Sequence, residues 1–283
     1  MTRILTAAFL AAVAIATPAL AQSPTPDQPP LLPDVQAPTE YLSIGLGAGI
    51  TADYEGSDEY RIIPGAILRA KTNGISISSR GTYLYADVID TGRKVDFDAG
   101  PIIGVRLNRT GKIKDDLVDR LDDRKVAFEV GGFGGVSIKA ITNPYDSLSF
   151  RMDAVKDVGN AHESWVFTPS VDFGTPLSLQ TFVGASVSAD FTSDKYARYY
   201  FGIDADDALA SGLPLYTPEG GMKSWQLSLL ASQSLSGDLR KGWALFGTGS
   251  FKRLVGDFKG SPIVADRGSA TNWFGAVGVG YSW

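Results

Sequence analysis

The chain of 283 residues contains no cysteine, one histidine and three methionines. The missing cysteine excludes a disulfide framework, a thiol nucleophile, a zinc–thiolate site and a lipid-modified cysteine anchor. A single histidine excludes a multi-histidine metal centre. Positive charge is not in excess: the formal charge is -5, unlike the basic surface of a general nucleic-acid binder. Nor is there, beyond the N-terminus, an uncharged apolar run long enough for a membrane-spanning helix. What the chain has in quantity is glycine (32 residues) and aromatics (11%), with a mean hydropathy of +0.01. That average fits a soluble globular protein. It equally fits a membrane β-barrel, whose alternating apolar and polar residues cancel.

Residues 1–21 have the parts of an export signal: Arg3, an apolar run from Ile4 to Ile15, and Ala19-Leu20-Ala21 as a small-x-small cleavage site. Residues 22–40 carry Pro24, Pro26, Pro29, Pro30, Pro33 and Pro38 and read as an extended periplasmic tether or a docking strip.

From residue 41 to 283 the apolar residues recur at every second position. In 95–107, Val95, Phe97, Ala99, Pro101, Ile103, Val105 and Leu107 share a face, opposed by Asp96, Asp98, Gly100, Gly104 and Arg106, with Ile102 the exception. In 178–191, Leu179, Val183, Ala185, Val187, Ala189 and Phe191 oppose Gln180, Gly184, Ser186, Ser188 and Asp190. About twelve such segments are expected, ten being the alternative count: 41–53, 59–71, 74–87, 95–107, 126–139, 147–157, 162–173, 178–191, 196–203, 222–234, 241–255 and 270–283. Asn73-Gly74 marks a tight hairpin turn.

The chemistry of the second face separates the two fold classes. A soluble barrel fills its interior with bulky apolar side chains. Here the second face is rich in Gly, Ser, Asp and Arg, while the apolar face carries Tyr41, Trp165, Phe173, Trp225 and Trp243 near strand ends. The expectation is an all-β fold: a transmembrane, antiparallel up-and-down barrel with lipid outside and polar groups within. Val279, Tyr281 and Trp283 alternate with glycine and serine up to the last residue, a pattern that resembles the recognition strand of bacterial outer-membrane barrels and implies the barrel assembly machinery as a partner.

The candidate chemistry is sparse. His162 and Ser164 are spaced to share a face of a strand, as in outer-membrane lipid hydrolases, but the Asn-Gly after the serine is replaced by Trp165-Val166. A solvated lumen-facing pair is the expectation. Tyr54, Asp58, Glu59 and Tyr60 form either a cation site or a solvated loop. Asp96, Asp98 and Arg106 are expected to meet across the lumen, plugging it or tuning a small pore. The charged stretch 108–125 falls, in a twelve-segment count, on the side of the termini, where it is a docking surface or a solvated loop. No metal, cofactor or catalytic set is expected.

One resemblance covers the chain from residue 41 onward. Tyr54-Glu55-Gly56-Ser57-Asp58-Glu59-Tyr60-Arg61, Gly100-Pro101, Tyr200-Phe201-Gly202-Ile203, Ser211-Gly212-Leu213-Pro214-Leu215-Tyr216, Gly220-Gly221 and Ser261-Pro262-Ile263-Val264 followed by Arg267-Gly268-Ser269 resemble, in that order, the MipA/OmpV family of MltA-interacting-protein-like outer-membrane proteins. The resemblance implies an outer-membrane barrel in contact with outer-membrane lipids. It also implies a non-enzymatic scaffold for murein turnover, whose partners are a lytic transglycosylase and a murein synthase. The family's other implied roles are an osmotically responsive, porin-like channel and an adhesin. It brings no catalytic residues; a lipid hydrolase built on His162 and Ser164 is the remaining alternative.

Overall fold

A computed structural model describes residues 40–89, 91 and 93–283. The export signal and the proline-rich tether lie outside the described residues.

Twelve strands form one closed sheet. They are β1 (Tyr41–Ala52), β2 (Tyr60–Thr72), β3 (Ile75–Arg80), β4 (Tyr83–Asp87), β5 (Val95–Arg106), β6 (Ala127–Lys139), β7 (Ser147–Asp157), β8 (Trp165–Pro176), β9 (Thr181–Thr192), β10 (Gly221–Ser234), β11 (Gly242–Leu254) and β12 (Thr271–Ser282). Each pairs antiparallel with its neighbour in sequence, and β12 closes on β1 from Ser43↔Ser282 to Thr51↔Phe274. Closure pairs the first strand with the last, so neither end of the sheet is left as a free edge that lipid could not satisfy. Among the described residues no helix is long and apolar enough to cross a membrane.

The alternation is realised as expected. Val95, Phe97 and Ile103 point outward and are exposed, while Asp96 and Ile102 point inward and are buried. Trp165, Phe167, Val171 and Phe173 lie outward on β8. Aromatic rings form two exterior belts. Trp225, Phe251 and Trp273 pack in a row near one end, tilted and edge-to-face, with centroids 5.3 and 4.9 Å apart. Trp243, Tyr281 and Trp283 do the same near the other, at 5.1 and 4.8 Å. From Trp243 to Phe251 the strand runs roughly 26 Å at about 3.3 Å per residue, close to the apolar band of a transmembrane barrel, about 25 Å tall. Glycines let the wall close up: a Cβ on Gly47 would sit 2.3 Å from the Val277 carbonyl oxygen.

Two segments differ from expectation. Residues 74–87 are two strands, because the chain reverses at Gly81, whose φ is +57°. Asn73 and Gly74, both at positive φ, make the preceding hairpin turn as read. Residues 196–203 fall largely in a helix, α1 (Asp194–Phe201), capped by the Ser193 side chain accepting from the Tyr196 amide. Tyr196, Ala197, Tyr200 and Phe201 recur at helical spacing and are all buried. The two differences cancel in the strand count, yet they invert the loops between them. The 107–126 connection therefore lies with 53–59, 193–220 and 255–270, at the end opposite the β1 start and Trp283. The charged 108–125 stretch is not beside the termini.

Of the six connections at that end, these four are the ones that build the cap. They carry one 3₁₀ turn (Val118–Arg120), α1, α2 (Ala205–Ser211), α3 (Gly256–Gly260) and α4 (Pro262–Ala265). The opposite end has short turns.

Candidate functional site at the capped end

The long connections share a hydrophobic core that sits over and into the barrel mouth. Tyr54, Ile113, Val118, Leu121, Tyr196 and Tyr200 pack there with Phe201, Leu213, Phe258, Ile263 and Val264, against the inward wall residues Ile102, Val155 and Val166. The family-pattern loops, remote in sequence, converge in this cap, whereas Gly100-Pro101 lies within the β5 wall. Tyr54 donates its hydroxyl to the Ile263 carbonyl oxygen at 2.7 Å. Gly56 sits at φ +105°, its amide donates to Asn272 Oδ1 and its carbonyl accepts from the Ser269 amide. Asn272 Nδ2 donates to the Ser57 carbonyl oxygen. Ser261 Oγ donates to the Phe201 carbonyl oxygen at 2.6 Å, and Pro262 is buried beside it at the start of α4. Gly212 ends α2 at φ +77°, with Leu213 buried after it. Tyr60 accepts from the Trp273 amide, and Arg61 pairs with Asp53 at 3.7 Å. Asp58 and Pro214 stay exposed. At the far end of the barrel, Val279 and Trp283 face outward and Tyr281 joins their belt.

Under the cap lies a charge network that no short motif announces. Lys223 is fully buried, with Nζ 2.9 Å from Glu55 Oε1, 3.2 Å from Asp190 Oδ2 and 3.3 Å from the Tyr196 hydroxyl. Lys252 Nζ lies 3.1 Å from the same Glu55 oxygen. A bulge between Met222 and Ser224 turns Lys223 inward, so two consecutive residues are buried. Arg106 donates to Glu129 Oε1 at 2.9 Å and Oε2 at 3.1 Å, and its guanidinium lies over the Tyr196 ring. Three cations thus face three anions, as burial of charge requires. Burial alone would raise the Glu55 carboxyl; Lys223 and Lys252 beside it overcome this and hold it at about 2. Burial pushes the Tyr54 and Tyr200 hydroxyls well above their ordinary value, which keeps both neutral.

His162 and Ser164 are not a solvated pair. His162 is fully buried in the turn before β8, with Nδ1 3.0 Å from Ser164 Oγ and Nε2 2.8 Å from Glu129 Oε1. Tyr83 also donates to Glu129. The order serine–imidazole–carboxylate has the connectivity of a hydrolytic triad. Tyr196 and Tyr200 pack on the imidazole at centroid distances of 4.9 and 5.7 Å. The neighbouring cleft, of about 380 Å³, is lined by His162, Arg124, Lys195, Tyr199, Asp207 and Tyr216, but not by Ser164. A nucleophile needs an open position about 3 Å from its oxygen, and the cleft does not supply one. The cleft's own charges are matched: Arg124 pairs with Asp207 at 3.3 Å, Lys195 with Glu163, and Arg198 with Asp194 at 3.6 Å.

Asp96, Asp98 and Arg106 do not meet. Asp96 pairs with Lys139 at 2.6 Å, Asp98 accepts from Ser137, and Arg106 holds Glu129. Ten residues of strand separate Asp96 from Arg106, roughly 33 Å, so they serve opposite ends of the lumen. Among the described residues no cluster of acidic groups and histidine could hold a metal ion. The Tyr54–Tyr60 loop is built around a buried tyrosine and takes no cation-site geometry.

An apolar, aromatic-belted exterior around a polar lumen, closed at one end by its own loops, defines the class: a plugged transmembrane β-barrel. The chain belongs to the family described as MltA-interacting protein MipA, which it matches over residues 44–283. No curated protein matches the chain. Among solved structures, it is similar to the outer-membrane expressed OmpT of Vibrio cholerae (9% identity, 88% of this chain and 99% of that one, TM-score 0.33). It is similar to the translocator domain of the autotransporter NalP from Neisseria meningitidis (13%, 88% and 90%, TM-score 0.35). A third is the toluene transporter TbuX of Ralstonia pickettii (10%, 87% and 90%, TM-score 0.34).

Proposed function

We propose that this protein is a non-enzymatic outer-membrane barrel that anchors enzymes of murein turnover, a lytic transglycosylase first and a murein synthase with it. The single observation that carries the reading is the cap: a hydrophobic core and a balanced ion network across one mouth favour holding a partner over passing solutes. The family's description as MltA-interacting supports the transglycosylase as partner. The packing of Tyr196 and Tyr200 over His162 supports a structural role for the histidine–serine pair rather than lipid hydrolysis.

In barrels of this kind short turns face the periplasm and long loops face outside. On that orientation the cap is external, and the partner surface is the short-turn end. That end exposes Val88, Ile89, Ile141, Leu177, Leu179 and Leu235 on its turns, an apolar set suited to protein contact. The charged 108–125 stretch belongs to the external cap and is not the docking surface.

The test is crosslinked pull-down from envelopes, with murein hydrolases and synthases as the readout. Recovery of a lytic transglycosylase is expected; recovery of none sinks the scaffold. Planar-bilayer recording separates the channel: the capped barrel is expected to be electrically silent, and steady single-channel steps would favour a pore.

A further inference from the structure

Besides the β10 bulge, the wall is irregular beside β2. That strand runs from Tyr60 to Thr72, yet β3 pairs only with Arg69 to Thr72. The β3–β4 hairpin stops at its turn, where the Val105 amide donates to the Thr82 carbonyl oxygen near the top of β5. β2 continues past the hairpin without a partner strand on that side. The ladder ends where the Leu68 amide donates to Ser79 Oγ. Main-chain groups alternate sides along a strand, so Ile62, Pro64 and Ala66 also aim theirs at the gap. Beyond them, Lys114 Nζ takes up the Tyr60 carbonyl oxygen at 2.6 Å.

An open edge in a membrane wall invites another strand. Here Pro64 stands in the middle of the edge and has no N–H to offer, which disfavours strand addition. The gap's surroundings suit an alkyl chain instead. On the lipid side Ile62 is 79% exposed and Leu84 and Ala66 are exposed near it. On the lumen side a Cβ added at Gly65 meets nothing within 4 Å. Below it Ile67 packs with Phe246 and Leu230 as an apolar patch within the lumen. Two cations flank this strip on the inner face of β2. The Arg69 side chain makes no ion pair or hydrogen bond among the described residues, and Arg61 Nε is buried without a partner. The cap seals the axial route above.

We propose that the gap beside β2 is a lateral window that takes the chain of a long-chain carboxylate from the lipid phase onto the Ile67–Phe246–Leu230 patch, with Arg69 receiving its head group. This site is separate from the partner surface proposed above, and its test involves no murein enzyme.

The test uses the whole protein in detergent micelles with cis-parinarate, a fluorescent long-chain carboxylate excited by transfer from tryptophan. Wild type is expected to give saturable emission that palmitate displaces. Gly65→Trp, which fills open space without a strained backbone, is expected to weaken binding by about tenfold or more, since a filled site excludes the chain. Its folding is checked by heat-dependent gel migration. Arg69→Gln is expected to weaken parinarate by roughly tenfold or more, the scale of one charge-assisted hydrogen bond, and to leave displacement by hexadecanol unchanged. Emission that rises linearly without displacement overturns the proposal. So does binding that survives Gly65→Trp in the folded variant, or an Arg69→Gln variant that binds carboxylate and alcohol as wild type does.

Discussion

The Tyr54 hydroxyl and the Ile263 carbonyl oxygen are 2.7 Å apart in space and 209 positions apart in the chain. This bond ties the loop after β1 to the helix before β12, so the cap is fastened across the seam where the barrel closes. Tyr54→Phe removes the donor and leaves the buried carbonyl short of a partner, a cost of about 1–2 kcal/mol. Amide exchange in 255–270 is expected to quicken while the strands stay protected. Unchanged exchange there would mean that the bond does not hold the cap.

Gly56 tests the same joint from its backbone. At φ +105°, with a would-be Cβ 2.5 Å from Val264 Cγ2, no side chain fits. Gly56→Ala is expected to loosen the cap by roughly 1–3 kcal/mol, read as protease cleavage within 53–59 and 255–270.

Lys223 is the keystone of the buried network. Lys223→Met leaves Glu55 and Asp190 facing each other with Lys252 alone, an uncompensated buried charge worth about 3–5 kcal/mol. Adding Glu55→Gln to Lys223→Met restores neutrality and is expected to recover part of the loss, a coupling a double-mutant cycle reads directly. The single variant is also expected to flicker in planar-bilayer recordings where wild type is silent. Additive single effects would contradict the network.

Glu55 sets the acid limit of the cap. Its carboxyl stands at about 2, against an ordinary value of 4.5. A depressed folded-state value means stabilisation that is complete above the ordinary value and lost as pH falls through the folded one. Cap protection is therefore expected to hold from neutral pH to about pH 4.5 and to decline towards about pH 2. Amide exchange at several pH values, corrected for intrinsic rates, checks this; loss beginning well above pH 4.5 would contradict it.

The wall was legible in the sequence because period-2 alternation is local, and aromatics such as Trp225 and Trp243 stood near the strand ends. Two stretches misled for identifiable reasons. Residues 196–203 are a short apolar run in which strand and helix periods overlap, and the cap packing of Tyr196 and Tyr200 decides for helix. Residues 74–87 hide a reversal at Gly81, and one missed turn moved the 108–125 loop to the wrong end. The network was not legible at all. Glu55 and Lys223 stand 168 positions apart, and the bulge that turns Lys223 inward breaks the very alternation being read. The loops that resemble the family do meet in space, yet what joins them is packing and main-chain hydrogen bonding rather than reactive groups.

The histidine–serine pair gives a clean separation of chemistry from structure. Ser164→Ala is expected to leave envelope lipid composition unchanged. His162→Ala strips Glu129 and Ser164 of a buried partner and is expected to cost about 1–3 kcal/mol in stability. Released lyso-lipid or fatty acid that disappears in Ser164→Ala would establish a hydrolase instead.

Photo-crosslinking from single sites in intact envelopes tests the scaffold most directly. Crosslinkers placed at Ile141, Leu177 and Leu235 on the short turns are compared with Asp58 and Leu215 on the cap. The account predicts adducts with a lytic transglycosylase from the turn positions and none from the cap. Adducts from the cap alone, or from neither end, would contradict it.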